Sequence, residues 1–477
     1  MNFGRSSIAC LLFTLCAFPQ ERLDPKLLQE DFRILRSALE EGHSGIYRYT
    51  PKPDLDRAFD RALQKLDHSM DALEFFRIAA PAVATVKCGH TSIAPPQTLT
   101  KELNTNLPLF PFDVRVLDGK VFVFRDYATE GAKLAGVEIR SINGVPIDRV
   151  LSTMTAAAPG DGNVPTSRAW RIGRGPAFSR MLYTLMGIRS PFTVVYRVEP
   201  DVREQTLELA GKTLPVRQEL SAARYPQDQR PDRAADFKFL DDGKIAVLTI
   251  YGFGGSAGDP KKPLGHFLND AFEQIHERGS RSLIIDVRNN GGGADELGKQ
   301  LFAFLWDQPF RYYDDLVINA RTFSFAKYTR KLEDIPADEV ERRADGKFHN
   351  IKHPNWGIQQ PGKPHFAGKV FILINGGSFS TTCEFTSTVH FHKRAIFIGE
   401  EAGGGYYGNT SGYGTAVTLP NSKLVLNLPF QTYYLAVSGY KQADRSVMPD
   451  YPVHYTIREL LAGEDKDMAV ALKLARE

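Results

Sequence analysis

Two stretches decide the fold: SLIIDVRNNGGG at residues 282–293 and ILINGGSFSTTCEF at residues 372–385. Each opens with an apolar run of strand length and breaks at glycines. The first then enters the helical pattern ADELGKQLFAFLW, and the second enters one running from Ser380 to about His392. Strands that are apolar on both faces belong to buried, parallel sheets. The neighbouring runs GKIAVLTIYGF (243–253), LGHFLNDAFEQIHERG (264–279) and AIFIGE (395–400) repeat the strand and helix alternation. The order predicts an α/β layer architecture with parallel pairing.

Ser380 follows a buried strand and a glycine pair at the start of a helix. The turn fixes its hydroxyl, and the helix N-terminus offers free N–H groups and a positive dipole end to a developing oxyanion. Serines at helix starts also act as plain N-caps, so the run alone leaves both roles open. The Gly291 loop permits positive φ and close backbone approach by a ligand. It lacks the Lys-Ser/Thr that a phosphate-binding P-loop requires.

Upstream, FPFDVRVLDGKVFVFRD alternates apolar and polar residues around Asp118-Gly119, a hairpin pattern. GVEIRSINGVPIDRVL (136–151) then reads as a strand, an Asn143-Gly144 turn and a helix start. Residues 24–88 are helical by spacing, with Leu27, Leu28, Phe32, Leu35 and Leu39 recurring in one helix and Leu55, Phe59, Leu63 and Leu66 in another. ARYPQDQRPDRAAD (223–236) reads as a linker or exposed loop. At the N-terminus, the eleven-residue apolar run IACLLFTLCAF is too short to span a bilayer, which takes about 20 residues, but suits an export signal. The expected division is a signal peptide at 1–20, an N-terminal helical region at 21–105, a small domain at 106–215 and an α/β domain at 216–477. A formal charge of +3 with no basic block argues against a nucleic-acid partner. The mature chain is expected to be exported, periplasmic or secreted, with no membrane span.

The ordered motifs DVRNNGGG, ILINGGSFSTTCEF and AIFIGEEAGGG together resemble the S41 serine peptidases, the C-terminal-processing and tricorn-like enzymes. LEEGHSGIYRY (39–49) and VKCGHTSI (86–93) are similar to the helical N-terminal region of exported members, 136–151 to their PDZ-like segment, and RSVMPDYPV (445–453) to their closing element. The resemblance implies a ClpP/crotonase-like catalytic domain with a PDZ-like domain, a peptide or protein substrate and no metal or cofactor. It implies Ser380 as nucleophile, with an oxyanion hole from the N–H groups of Gly291, Gly292 and Thr381.

One branch of the family uses a lysine as base. Here its matching position is Gly405, and no lysine occurs between Lys393 and Lys423. The other branch uses a histidine, and His90 falls at the matching motif; an imidazole suits general-base work near neutral pH. For the acid that orients it, Asp444 is the nearest carboxylate to the closing element, with Glu384 and Glu401 as alternatives. Since Cys88 lies two residues before His90 and Cys383 three after Ser380, the two catalytic assignments together would bring the cysteines close in space; they are then either a disulfide clamping base to nucleophile or two small buried apolar side chains. Two other readings stand beside this one: an inactive peptide- or hydrophobic-ligand-binding protein on the same fold, and a crotonase-type enzyme acting on a thioester. The export signal argues against the latter.

Overall fold

The computed structural model describes residues 21–198, 203–228, 231–255, 263–332 and 335–477. The export signal, with Cys10 and Cys16, lies outside the described residues. The apolar spacing noted above folds into the helices Pro25–Gly42, Lys52–Gln64 and Ala72–Ala84. Asp24 caps the first, accepting from the Lys26 N–H, and a capping box of Asp71 and Glu74 opens the third.

A first antiparallel sheet runs in the order Phe112–Leu117, Lys120–Asp126, Glu138–Ile142, Phe192–Arg197 and Glu204–Leu209, with the short Val145–Pro146 pairing on Glu138–Ile142. Both of its expected turns form, with Asp118 and Gly119 at φ 49° and 75° and Asn143 and Gly144 at 48° and 76°. The helices Ile147–Ala157, Pro165–Gly173 and Ala177–Met186 fall between its third and fourth long strands. The second of them matters most for the site. Residues 223–236 are not a free linker. They close the helix Leu214–Arg224, form a short turn at Pro226–Asp228 and enter the strand Ala235–Leu240; Arg125 clasps Asp228 there.

The parallel sheet expected around the two glycine loops is present. Its order is Tyr451–Pro452, Ile396–Gly399, Lys369–Ile374, Ser282–Asp286, Ile245–Ile250 and Ala235–Leu240. All neighbours are parallel except the last pair. The strands Ser282–Asp286 and Lys369–Ile374 are central and adjacent, so both loops emerge side by side at their C-terminal ends.

A second antiparallel sheet has no counterpart in the expectations. The long strand Val425–Leu435 pairs with Thr410–Thr418, with Tyr313–Ile318 and with the three-residue strand Ser92–Ala94. That last pairing draws the N-terminal region onto the C-terminal half of the chain. Ser44 Oγ donates to the Phe430 carbonyl at 2.6 Å, and the buried Asp31 carboxylate accepts from the Ser422 N–H at 2.7 Å. One hydrophobic core accordingly runs from Leu28, Phe32 and Phe59 through Phe110 and Ile139 to Leu426 and Phe430.

Candidate active site

Ser380 sits at φ 58° and ψ −127°, immediately before the helix Thr381–Phe391. A non-glycine residue there stores roughly 1–3 kcal/mol of backbone strain and needs surrounding structure to hold it. The restraint comes from the neighbouring loop. The Phe379 N–H donates to the Asn290 carbonyl at 3.0 Å, Thr382 Oγ1 to the same carbonyl at 2.9 Å, and Thr381 Oγ1 to the Gly293 carbonyl at 2.7 Å. Ser378, the other serine of the run, is spent on structure: its hydroxyl donates to the Val287 carbonyl at 2.8 Å.

Gly292 lies directly against Ser380. A Cβ on it would stand 2.6 Å from the Ser380 Cβ, and its φ is 100°. Its N–H already donates to Asn290 Oδ1 at 2.9 Å, which corrects the expectation that this N–H is an oxyanion donor. Gly292 serves instead by having no side chain. Among the described residues the N–H groups of Gly291 and Thr381 have no hydrogen-bond partner. Thr381 opens its helix, so its N–H has no intrahelical acceptor.

His90 Nε2 lies 3.0 Å from Ser380 Oγ, across 290 positions of sequence. Its ring stacks on Phe379 with centroids 4.6 Å apart, and the Arg171 guanidinium lies 4.6 Å from the same ring. Arg171, from the helix Pro165–Gly173, also donates to the Gly89 carbonyl at 3.3 Å. Gly89 has no room for a side chain, since a Cβ would meet the Phe379 ring at 2.5 Å. Burial pushes the His90 pKa down to about 4, with Asp161 opposing and Arg171 adding to the shift. The imidazole is therefore neutral, and able to accept a proton, at every pH above that value.

The carboxylate beside His90 is Asp161, which the sequence reading missed. It is buried, and it accepts from the N–H of Gly89 at 2.6 Å and of Gly405 at 3.2 Å. A ring nitrogen of His90, the Cys88 Sγ and an Asp161 oxygen lie within 4.8 Å of one another. Nothing local marks Asp161 in APGDGN; its role arises from a contact between distant segments.

The three expected acids sit elsewhere. The Asp444 carboxylate accepts from Asn163 Nδ2 at 2.5 Å, and its carbonyl from the Asn163 N–H at 2.8 Å. It thus braces the loop carrying Asp161 instead of meeting His90. Glu401 is paired with Arg445 at 2.6 Å. Glu384 points into a separate buried cluster, where Asn409 Nδ2 donates to it at 2.7 Å and Tyr313 Oη lies 2.8 Å away. Tyr313 Oη is also 2.8 Å from Asp295 Oδ2, so one phenolic proton faces two carboxylates. Burial, then Asp295, raises the Glu384 pKa to about 7, and a neutral Glu384 supplies the missing proton.

Gly405, the position matching the lysine, is crowded: a Cβ there would press on the Tyr49 hydroxyl and stand 2.9 Å from the Gly408 carbonyl, so a side chain would require both to shift. The expected disulfide is absent. Cys88 and Cys383 are both buried free thiols. Cys383 Sγ donates to the Ser378 carbonyl at 2.9 Å and accepts from the Gly404 N–H at 3.0 Å, while Cys88 Sγ donates to the Thr410 carbonyl at 3.4 Å. Each thiol is turned to its own backbone partner.

The family profile described as peptidase family S41 matches residues 244–453, the segment that holds both glycine loops and Ser380. Residues 244–453 thus carry an S41 serine-peptidase segment. The chain's fold is similar to the crystal structure of mature CPAF, with a TM-score of 0.59 at 15% identity, covering 94% of this chain and 96% of that one. Mature CPAF complexed with lactacystin gives 0.62 at 15% identity, over 94% and 98%. The photosystem II D1 C-terminal processing protease gives 0.42 at 15% identity, over 90% and 93%. No curated protein sequence matches the chain. No helix among the described residues is long and apolar enough to cross a membrane.

Proposed function

We propose that this S41 peptidase is exported and hydrolyses peptide bonds with a Ser380–His90 pair and no lysine. The single observation that carries this reading is the 3.0 Å contact between Ser380 Oγ and His90 Nε2, with the serine held in a strained turn. His90 takes the hydroxyl proton as Ser380 attacks the scissile carbonyl, and later returns it to the leaving amine. The Gly291 and Thr381 N–H groups receive the oxyanion, aided by the positive end of the helix Thr381–Phe391. Asp161 stabilises the imidazolium by charge at short range in a buried setting. It fills the place first assigned to Asp444, which acts one step further out through Asn163.

The catalytic unit is read as ClpP/crotonase-like, and residues 106–215 as a PDZ-like module that holds a peptide end. Export rests on the apolar run at 8–18; N-terminal sequencing of the protein recovered outside the producing cell should begin close to residue 21.

The alternative, an inactive peptide-binding protein, is disfavoured by the approach of His90 Nε2 to Ser380 Oγ, which supplies a candidate base where the lysine is missing. Incubation with an unstructured protein such as casein decides between them. Wild type should release peptides and Ser380→Ala should not. Equal turnover by both, or none by wild type at any pH, would overturn the proposal.

A further inference from the structure

His90 uses Nε2 toward Ser380, and its Nδ1 is buried with no hydrogen-bond partner among the described residues. Buried polar atoms are seldom left so. Nearby, the Tyr49 hydroxyl is also buried and unpartnered, and it feels the charges of Asp161 and Cys88. Around the His90 ring stand the Cys88 thiol and the Asp161 carboxylate, one ligand atom from each residue lying within 4.8 Å of the others, and Nδ1 is the ring nitrogen not already facing Ser380. Cys88 is 6% exposed and Asp161 1%.

A sulfur, an imidazole nitrogen and a carboxylate oxygen form a donor set for a borderline-soft, tetrahedral ion. They do not suit Mg²⁺ or Ca²⁺, which want oxygen ligands. Zinc bond lengths of about 2.0–2.3 Å place tetrahedral ligands roughly 3.3–3.8 Å apart, so the cluster must close by about 1 Å. The Tyr49 hydroxyl or a water can complete the fourth position.

We propose that Cys88, His90 and Asp161 form an inhibitory Zn²⁺ site built into the back of the catalytic base. The inference rests on His90 serving as that base. On binding, the Cys88 thiol gives its proton to solvent and its sulfur bonds the metal, while the His90 Nδ1 lone pair forms the second bond and Asp161 the third. No electron is transferred. A neutral imidazole metallated at Nδ1 carries its remaining proton on Nε2. That nitrogen can then only donate to Ser380 Oγ and cannot take its proton, so the nucleophile is switched off. Removing the ion restores the acceptor.

The test uses the full chain after treatment with EDTA. Zn²⁺ should bind at one ion per chain by elemental analysis, slow fluorophosphonate labelling of Ser380 at least tenfold, and be reversed by EDTA. Co²⁺ in its place should give a thiolate-to-cobalt charge-transfer band in the near ultraviolet. Cys88→Ser should lose that band, need at least tenfold more Zn²⁺ for inhibition, and label at close to the wild-type rate without metal. Cys383→Ser should behave as wild type. Absence of the cobalt band in wild type overturns the site without reference to any variant, as does unchanged Zn²⁺ sensitivity in Cys88→Ser. A chain that binds cobalt through Cys88 yet never labels at Ser380 would retain the site and lose the peptidase reading, so the two failures are distinct.

Discussion

The two partners of the 3.0 Å contact are held in place by different means. Ser380 is fixed almost entirely by its own strand, turn and helix and by the loop of the adjacent strand, through Asn290, Gly292 and Gly293. His90 is fixed by pieces from across the chain: the pairing of Ser92–Ala94 with Val425–Leu435, Asp161 on the Gly89 N–H, Arg171 on the Gly89 carbonyl and the Phe379 ring. The position of Ser380 is thus a product of local structure, and that of His90 of tertiary assembly. Damage to the first should remove chemistry outright, and damage to the periphery of the second should lower the rate in steps.

The largest break is on the serine side. Ser380→Ala should lower peptide turnover by about 10⁴-fold or more, leaving what the oxyanion donors and binding supply. Gly292→Ala should come close to that, because its Cβ would lie 2.6 Å from the Ser380 Cβ at a φ of 100°; thermal unfolding should also show a loss of more than about 1 kcal/mol.

The base side should yield graded effects. Asp161→Asn is expected to reduce kcat by about 10²-fold with KM little changed, since it alters stabilisation of the imidazolium and not substrate binding. In chelator-treated wild type, kcat/KM should fall as the pH drops through about 4, when His90 takes up a proton and ceases to be a base. Asp161→Asn should move that limb lower still, because Asp161 favours the protonated ring. Asn163→Ala, which releases the Asp444 brace, should cost only a few-fold in kcat and about 1 kcal/mol of stability.

The smallest effect on rate, and a contrast with both sides, is expected at Glu384. Its pKa of about 7 in the folded chain exceeds the ordinary carboxyl value, so the folded state holds the extra proton between those limits. The associated stability is present below about pH 4.5 and is lost as the pH rises through 7, by an amount on the order of 3 kcal/mol. Glu384→Gln should flatten that slope in urea unfolding measured from pH 5 to 8, at nearly unchanged turnover.

The same contrast explains what the sequence disclosed. The parallel sheet and Ser380 were legible because continuous apolar strands ending in glycines leave few alternatives, and the hairpins because Asp-Gly and Asn-Gly demand positive φ. His90 was reached only through family resemblance; its own segment carries no periodic signal. Asp161 was not legible, because its two partners, Gly89 and Gly405, are backbone groups 72 and 244 positions away. Two short strands of the second antiparallel sheet were passed over for a related reason. Ser92–Ala94 and Phe348–Asn350 are three residues long, too short for alternation to register, and they exist only by pairing with longer partners. The disulfide is absent because each thiol is turned to a backbone carbonyl instead, which residue spacing along the chain does not reveal.

The central claim is that His90 activates Ser380. Fluorophosphonate labelling, with the modified residue mapped by mass spectrometry, tests it in wild type and in His90→Gln under metal-free conditions. The account predicts an adduct on Ser380 and a labelling rate reduced by about 10²-fold or more in the variant. An adduct on another residue, or wild-type labelling in His90→Gln, would contradict it.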